Sequence, residues 1–313
     1  MRRLLLLPLS CGLLFADGGI FVPVDMPIYE SGQVAIIKHS QGRERLCLAT
    51  QFSTQADSLA WVVPVPAEPE VESSGVKLFY DLERYTAPIY RYNPGLSCWG
   101  NVAPTFNERG TDSSGVNEIG SGIIGSLSWQ VLQAFQAETL EDYLTGHGYA
   151  LPSGTRGTFE HYLNQSWNYF FVARNTDTSE YHYYPSLGIT LSFASDSIVY
   201  PLYISRISAQ TSRLVFYLLA EHRQMFTGAH LRFSGKVTQD SLPTARAFLD
   251  REYLLTKLTK TLEPEQMEDI TFRNAPDDQP YREIQYTGGY WIMPMLVLAG
   301  VFLLQRRRSR RRT

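Results

Sequence analysis

The segment SLAWVVPVPAEPEV, residues 58–71, starts with the pattern of a buried β-strand and then interrupts it with prolines. With the period-two alternation of a strand, four apolar side chains share one face: Leu59, Trp61, Val63 and Val65. Pro64 and Pro66 have no N–H, and their spacing of two removes donors from the same edge. The pattern therefore predicts a strand that packs through Trp61 and stops pairing at one edge.

Similar apolar runs, separated by polar turns, predict a β-rich chain. Further strands are expected at 33–39, 45–52, 127–135, 169–174, 189–194, 199–206, 213–220, 230–236 and 269–273. Helical spacing is found at 77–85, 138–145, 159–167 and 245–261. The predicted fold class is α+β: mostly antiparallel β-sheet with a few packed helices, plus one C-terminal transmembrane helix.

The chain divides by composition into six segments. A signal peptide (1–16) precedes a β-rich part (17–92), and a Gly/Ser/Asn-rich loop (93–126) leads to an α+β part (127–287). A membrane helix (288–304) and an Arg-rich tail (305–313) complete the predicted organisation.

The N-terminus, MRRLLLLPLSCGLLFADGG, has two arginines, an apolar run from 4 to 15 and then small or polar residues. Such a run is too short to span a bilayer but is typical of a secretory signal. A lipoprotein signal acylated at Cys11 is the alternative, and it would leave a very short apolar region beside Pro8. Ordinary export is the better interpretation.

The C-terminal sequence TGGYWIMPMLVLAGVFLLQRRRSRRRT has no charged residue from 290 to 304. As a helix, that run would span about 22 Å, short of a ~30 Å hydrocarbon core, a mismatch that bilayer thinning or snorkelling reduces. Tyr290 and Trp291 are expected at the outer interface. The anchor is completed by Leu296, Leu298, Val301, Phe302, Leu303 and Leu304.

Charge predicts the orientation of this anchor. Moving a single Arg to the bilayer centre costs roughly 2.5–3.5 kcal/mol, so the terminal cluster should stay in the cytoplasm. The residues that set this topology are Arg306, Arg307, Arg308, Arg310, Arg311 and Arg312. We therefore expect a single-pass protein of the bacterial cell membrane, in contact with lipid, with its N-terminal body outside the cytoplasm.

Eight of the 28 basic residues lie in the two terminal segments, which leaves 20 against 31 acidic residues in the body, a net charge of −11. An acidic body argues against nucleic-acid binding. Beyond the signal only Cys47 and Cys98 remain, and the exported compartment permits a disulfide between them. Two buried thiols are the alternative, because the sequence does not show whether the two residues are close.

The sequence contains no H-E-x-x-H, G-x-S-x-G, Walker or G-x-G-x-x-G motif. Asp177, Glu180 and His182 lie near one another in the sequence, but a solvated hairpin explains them better than a metal site. No catalytic, metal or cofactor-binding residue is therefore predicted, and no cofactor is expected. The sequence leaves open whether the protein is an enzyme.

Five segments occur in this order along the chain: DSLAWVVPVPAEPEV, FYDLERYTAP, VLQAFQAETLEDYLTGHGYALP, FASDSIVYPLYISRIS and YLLTKLTKTLEPEQMEDITF. Together they resemble the bacterial domain of unknown function 2330 family over about residues 16–275. The resemblance implies an exported protein, often with a C-terminal membrane segment, and brings no established activity or catalytic residues. Asp17 and Val22 stand where members commonly carry cysteines, so no N-terminal cysteine pair is implied here.

The tail also resembles the Gly-Gly sorting signals that are cut by rhombosortase, a rhomboid-type protease. Gly288 and Gly289 precede the apolar segment, and glycines let the backbone enter a protease more easily. An ordinary flexible hinge is the alternative explanation of this glycine pair.

The sequence thus predicts an exported, membrane-anchored envelope protein whose ectodomain binds or scaffolds an unidentified protein partner. The alternative is an exported hydrolase of envelope polymers, with an active site built from sequence-distant residues. A pocket that gathers carboxylates or histidines would favour the hydrolase, and an exposed apolar patch would favour the binding protein.

Overall fold

The computed structural model describes residues 19–23, 28–29, 32–50, 53–54, 58–92, 121–124, 127–175, 187–208, 210–246 and 248–287. In the first part of the chain the strands are β1 (Gly19–Phe21), β2 (Ile28–Tyr29), β3 (Gln33–Ser40), β4 (Arg43–Thr50), β5 (Ser53–Thr54), β6 (Ala60–Val65), β7 (Glu70–Ser74) and β8 (Ile89–Tyr92). The middle part contains β9 (Ser121–Ile124), β10 (Leu127–Gln133), β11 (Tyr169–Asn175), β12 (Leu187–Ala194), β13 (Val199–Tyr200) and β14 (Ser212–Ala220).

The last part contains β15 (Gln224–Met225), β16 (His230–Val237), β17 (Tyr253–Leu262), β18 (Ile270–Thr271), β19 (Arg273–Asn274), β20 (Tyr281–Arg282) and β21 (Ile284–Thr287). The α-helices are α1 (Lys77–Tyr85), α2 (Ala137–Gly146) and α3 (Thr155–Asn164). Short 3-10 helices are η1 (Tyr203–Ser208), η2 (Pro243–Ala245) and η3 (Pro264–Gln266).

The described residues fall into two compact units. The larger is built from 19–87 and 121–281, and the smaller from 88–92 and 282–287. In the larger unit, one sheet has the order β1-β6-β11-β10-β9 and a second has the order β20-β16-β17-β14-β3-β4-β12-β7. Strands from before and after the predicted 93–126 loop pair with each other in both sheets, at β6–β11 and at β3–β14.

The two sheets of the larger unit pack face to face around one hydrophobic cluster. Its members come from both sheets and include Trp61, Phe171, Leu191 and Phe216. Trp61 is fully buried and meets the Phe171 ring edge-on, with ring centroids 5.7 Å apart. The centre of the unit is therefore a β-sandwich.

The outer face of each sheet is covered by helices or by a packed loop. On the outer face of the eight-stranded sheet, Leu78 and Leu82 of α1 pack with Phe248 and Leu249 of the loop before β17. On the outer face of the five-stranded sheet, α2 and α3 contribute to a further hydrophobic cluster the side chains of Leu140, Leu144, Phe159 and Tyr162. The larger unit is consequently a four-layer arrangement in which the central strands of each sheet are buried on both faces, whereas the edge strands β7 and β9 are largely exposed.

Strand β6 confirms the prediction made from its prolines. Its pairing with β1 runs from Ala60 to Val62 and stops before Pro64, whereas its pairing with β11 continues through Pro64 to Val65. The predicted face of β6, which includes Trp61, lies in the cluster between the sheets. Ala60 and Val62 face the helices.

Most of the other predicted elements are also confirmed, with shifts of a few residues at their ends. The predicted helix at 77–85 coincides with α1, and the helix at 138–145 corresponds to α2. The helix predicted at 159–167 starts earlier, at Thr155, and ends before Ser166, whose φ of 64° is incompatible with a helix. At the coarse level the fold is α+β, with mostly antiparallel pairing and one parallel pair, β3–β14, in the large sheet.

Residues 121–124, which the sequence places in the 93–126 loop, form strand β9 and pair with β10. Two predictions of a helix or a strand are also wrong. The segment predicted as a helix at 245–261 contains the end of η2 and most of β17, because its leucines and threonines are buried on both sides of a central strand. The strand predicted at 199–206 ends at Tyr200, since Pro201 has no N–H for a ladder, and η1 follows.

None of the helices in the described ranges has the length and apolar character that a bilayer crossing requires. The predicted anchor at 288–304 and the predicted signal peptide at 1–16 lie outside those ranges.

Trp61→Ala tests the importance of the cluster between the sheets. Because the indole is fully buried, its loss should lower the free energy of unfolding by about 3–5 kcal/mol. The measurement is urea unfolding followed by circular dichroism. Phe135→Ala is the control, since Phe135 is 70% exposed and its removal should change stability by less than about 0.5 kcal/mol. Equal effects of the two substitutions would contradict the assigned packing.

Candidate functional site

Glu83, in the last turn of α1, is the centre of a charged cluster on the outer face of the eight-stranded sheet. Lys257 of β17 donates to Glu83 Oε2 at 2.7 Å, and the Tyr217 hydroxyl of β14 donates to the same oxygen. Burial would raise the pKa of Glu83, but the bonds from Lys257 and Tyr217 outweigh it and the pKa is lowered. A carboxylate held ionised by a nearly buried ammonium fastens α1 to the sheet and is poorly suited to proton transfer.

A second cluster joins α3 to η1 and to the residue before β18. Asp269 Oδ1 accepts from the Tyr162 hydroxyl at 2.8 Å and from the Tyr203 N–H at 2.9 Å. His161 Nε2 lies 2.8 Å from Asp269 Oδ2, and its ring stacks on Tyr203 with centroids 3.8 Å apart. The Tyr162 oxygen in turn accepts from the Ile204 N–H at 2.9 Å.

The pKa of Tyr162 lies well above its usual range, because the phenol is buried and faces the Asp269 carboxylate. The phenol therefore stays neutral and keeps its proton in the bond to Asp269. Since the carboxylate is shared among three donors, this His-Asp pair is explained as a joint between elements.

Glu44 of β4 is an unusual carboxyl group because it is completely buried. Its Oε2 accepts from the Val199 N–H at 2.8 Å, whereas its Oε1 has no hydrogen-bond partner. Burial raises the pKa of Glu44 well above its ordinary value, and the Val199 bond only partly opposes this. His39 lies opposite Glu44 on β3, and its Nε2 donates to the Ser195 carbonyl at 2.9 Å.

The smaller unit contains a two-stranded parallel ribbon, formed by β8 and β21, which we call the aromatic ribbon. Ile284 pairs with Ile89 and Thr287 pairs with Tyr92, and the Ile89 N–H donates to the Glu283 carbonyl at 2.8 Å. Both faces carry exposed apolar side chains, since residues alternate along each strand. These side chains are Ile89, Tyr90, Tyr92, Ile284 and Tyr286.

The exposure of the aromatic ribbon is high: Tyr90 is 63% and Tyr286 is 67% exposed. A two-stranded ribbon is marginally stable without further packing, and exposed apolar groups in one place are typical of interaction surfaces. Within the described ranges, the aromatic ribbon thus gathers five exposed apolar side chains on two paired strands, a surface suited to contact with another molecule.

The site residues predicted from the sequence lie mostly outside the described ranges. Cys47 lies buried in β4 and Cys98 falls outside, so their disulfide stays a prediction. The same holds for Gly288, Gly289, the anchor residues, the terminal arginines and the segment with Asp177, Glu180 and His182. Within the described ranges, no group of three or more His, Cys, Asp or Glu residues is arranged to hold a metal ion.

Neither the polar clusters nor the aromatic ribbon is predicted by the sequence. Glu44 could have been noticed, because in RERLCLAT it occupies the same strand face as Leu46 and Leu48. The partners of Glu83 and Asp269 could not, since Lys257 and Tyr162 are 174 and 107 residues away from them in the sequence.

A family model described as "Uncharacterized protein conserved in bacteria (DUF2330)" matches residues 9–261 of the chain. No curated protein matches the chain. The crystal structure of baculovirus P35 is similar with a TM-score of 0.38 and 7% identity, over 82% of this chain and 99% of that chain. The crystal structure of the caspase-8/P35 complex is similar with a TM-score of 0.35 and 8% identity, over 78% of this chain and 96% of that chain. Similarity at these TM-scores carries no argument about fold or function.

Glu44→Gln tests the buried carboxyl group. Because the pKa of Glu44 is raised in the folded state, the contribution of this carboxyl group to the free energy of unfolding is fully present below the unfolded pKa. That contribution is lost as the pH rises through the folded pKa. The variant should therefore be as stable as the original protein below about pH 4 and more stable above it. The difference in the free energy of unfolding should grow by about 1.4 kcal/mol for each pH unit between the unfolded and the folded pKa. Urea unfolding over a pH series measures this.

Glu68→Gln is the matched control, since Glu68 is exposed. The free energy of unfolding of this variant should not rise above that of the original protein as the pH increases. A Glu44→Gln variant that is less stable than the original protein at neutral pH would show that the carboxyl group is ionised and paired.

Proposed function

The chain belongs to the bacterial family of uncharacterized conserved proteins DUF2330, and from that premise we propose an exported, membrane-anchored envelope protein whose folded body binds or scaffolds a partner outside the cytoplasm. The observation that carries the proposal is the uncharged run from 290 to 304, followed at once by a cluster of six arginines. A run of that kind beside a basic cluster is typical of a membrane anchor with a cytoplasmic end.

The composition of this run supports the proposal. Its residues from 290 to 304 carry no charge, and the transfer of such apolar side chains from water to hydrocarbon is favourable.

The arrangement of polar groups favours binding over catalysis. The Glu83 and Asp269 carboxylates are occupied by donors from neighbouring elements, and the buried Glu44 has no access to solvent. The aromatic ribbon, in contrast, presents apolar side chains to the outside. No feature of the described residues specifically favours the hydrolase alternative.

Protease treatment of intact spheroplasts tests the topology. With an exported signal and a cytoplasmic arginine cluster, we expect the body, residues 17–287, to be digested in intact spheroplasts, while the membrane retains a short C-terminal fragment. Immunoblotting with a tag after Thr313 detects that fragment. The C-terminal fragment should be retained because six arginines prevent translocation of the C-terminus.

The matched control is the same chain without residues 2–16, whose body should stay inside and be digested after lysis alone. A body of the complete chain that resists protease until lysis would contradict the proposal.

A further inference from the structure

The aromatic ribbon continues almost directly into the proposed anchor. Strand β21 ends at Thr287, and the uncharged run begins at Tyr290. Three Cα–Cα steps of about 3.8 Å separate these residues, so their Cα atoms are at most about 11 Å apart. Because β8 runs parallel to β21 and Tyr92 pairs with Thr287, the C-terminal ends of both strands lie beside the start of that run.

This distance decides what surrounds the ribbon if the anchor is in a bilayer. The interfacial layer on each side of the hydrocarbon core is roughly 5–8 Å thick. A strand that ends within about 11 Å of the first apolar residue therefore reaches that layer or its immediate surface.

The side chains of the ribbon match the chemistry of this layer. Tyrosine has an apolar ring and a polar hydroxyl, a combination that is enriched at the boundary between lipid and water. Tyr90, Tyr92 and Tyr286 are all exposed, and Arg91, also exposed, lies between two of them in sequence. A guanidinium at that level attracts anionic lipid headgroups.

From these observations we infer that the aromatic ribbon docks on the lipid–water interface of the membrane that holds the anchor, with anionic lipid headgroups beside Arg91. The inference rests on the proposed function, because it needs an anchor in a bilayer, and it assigns one occupant to the exposed ribbon. The ribbon gains from lipid the apolar cover that two strands do not give each other.

Site-specific fluorescence quenching in nanodiscs tests this inference on the full chain. Cys11→Ser and Cys98→Ser remove two of the three native thiols, and the third, Cys47, is fully buried and is not labelled in the folded protein. A fluorophore is attached through Tyr90→Cys, Tyr286→Cys or, as control, Phe135→Cys. Discs with one protein copy contain phosphatidylcholine and phosphatidylglycerol, with or without a nitroxide near the headgroup end of the acyl chain. The nitroxide should quench the labels at positions 90 and 286 at least about twofold relative to discs without nitroxide, because it lies in the interfacial layer. The label at 135 gives the quenching of an equally exposed position in the larger unit.

Phe135 is a suitable control because its side chain is 70% exposed, close to the 67% of Tyr286. An unchanged thermal unfolding midpoint for each labelled protein ensures that the comparison is made on folded protein. If the protein resists extraction by alkaline carbonate but the nitroxide leaves the labels at positions 90 and 286 unquenched, the ribbon inference is overturned and the anchor stands. If carbonate releases the protein, the anchor itself is refuted, and the ribbon inference with it.

Discussion

Strand β6 contributes side chains to two hydrophobic clusters at once, and the other layers depend on this double burial. Trp61 and its neighbours on one face fill the space between the sheets, while Ala60 and Val62 on the other face meet α2 and α3. Burial of such side chains stabilises the fold by about 25 cal/mol per Å² of apolar surface. A strand that is covered on both faces gains this stabilisation on each face. The missing donor of Pro64 is tolerated because β1 ends its pairing before that residue.

Polar groups connect the layers where apolar packing ends. Glu83 with Lys257 fastens α1 to the eight-stranded sheet, and Asp269 fastens α3 to η1. Lys257 is nearly buried although Glu83 is largely exposed, so removal of the carboxylate would leave the ammonium without its counter-charge. These clusters therefore define how the layers join even where their net contribution is small. Glu44 is different, since one of its oxygens has no partner, and a proton on that carboxyl group lowers the cost of its burial.

Local patterns in the sequence were sufficient for two elements with strong local signals, the proline-marked strand β6 and the helix α1. The alternation around Trp61 predicted both the strand and its buried face, and the spacing of Leu78 and Leu82 predicted α1. The pattern failed at 253–262, where burial on two sides removes the period-two signal and leaves a leucine spacing that resembles a helix. The polar clusters depend on contacts between residues more than one hundred positions apart, such as Glu83 and Lys257, which no local pattern contains.

Both halves of the chain build the same two sheets, through the pairs β6–β11 and β3–β14, so the larger unit should unfold as one cooperative body. Native-state hydrogen exchange on the full chain tests this most directly. The slowest amides of β3 and β6 should exchange with the same free energy as those of β11 and β14, to within about 1 kcal/mol. Strands from before and after residues 93–126 that open independently, with clearly different free energies, would contradict the account.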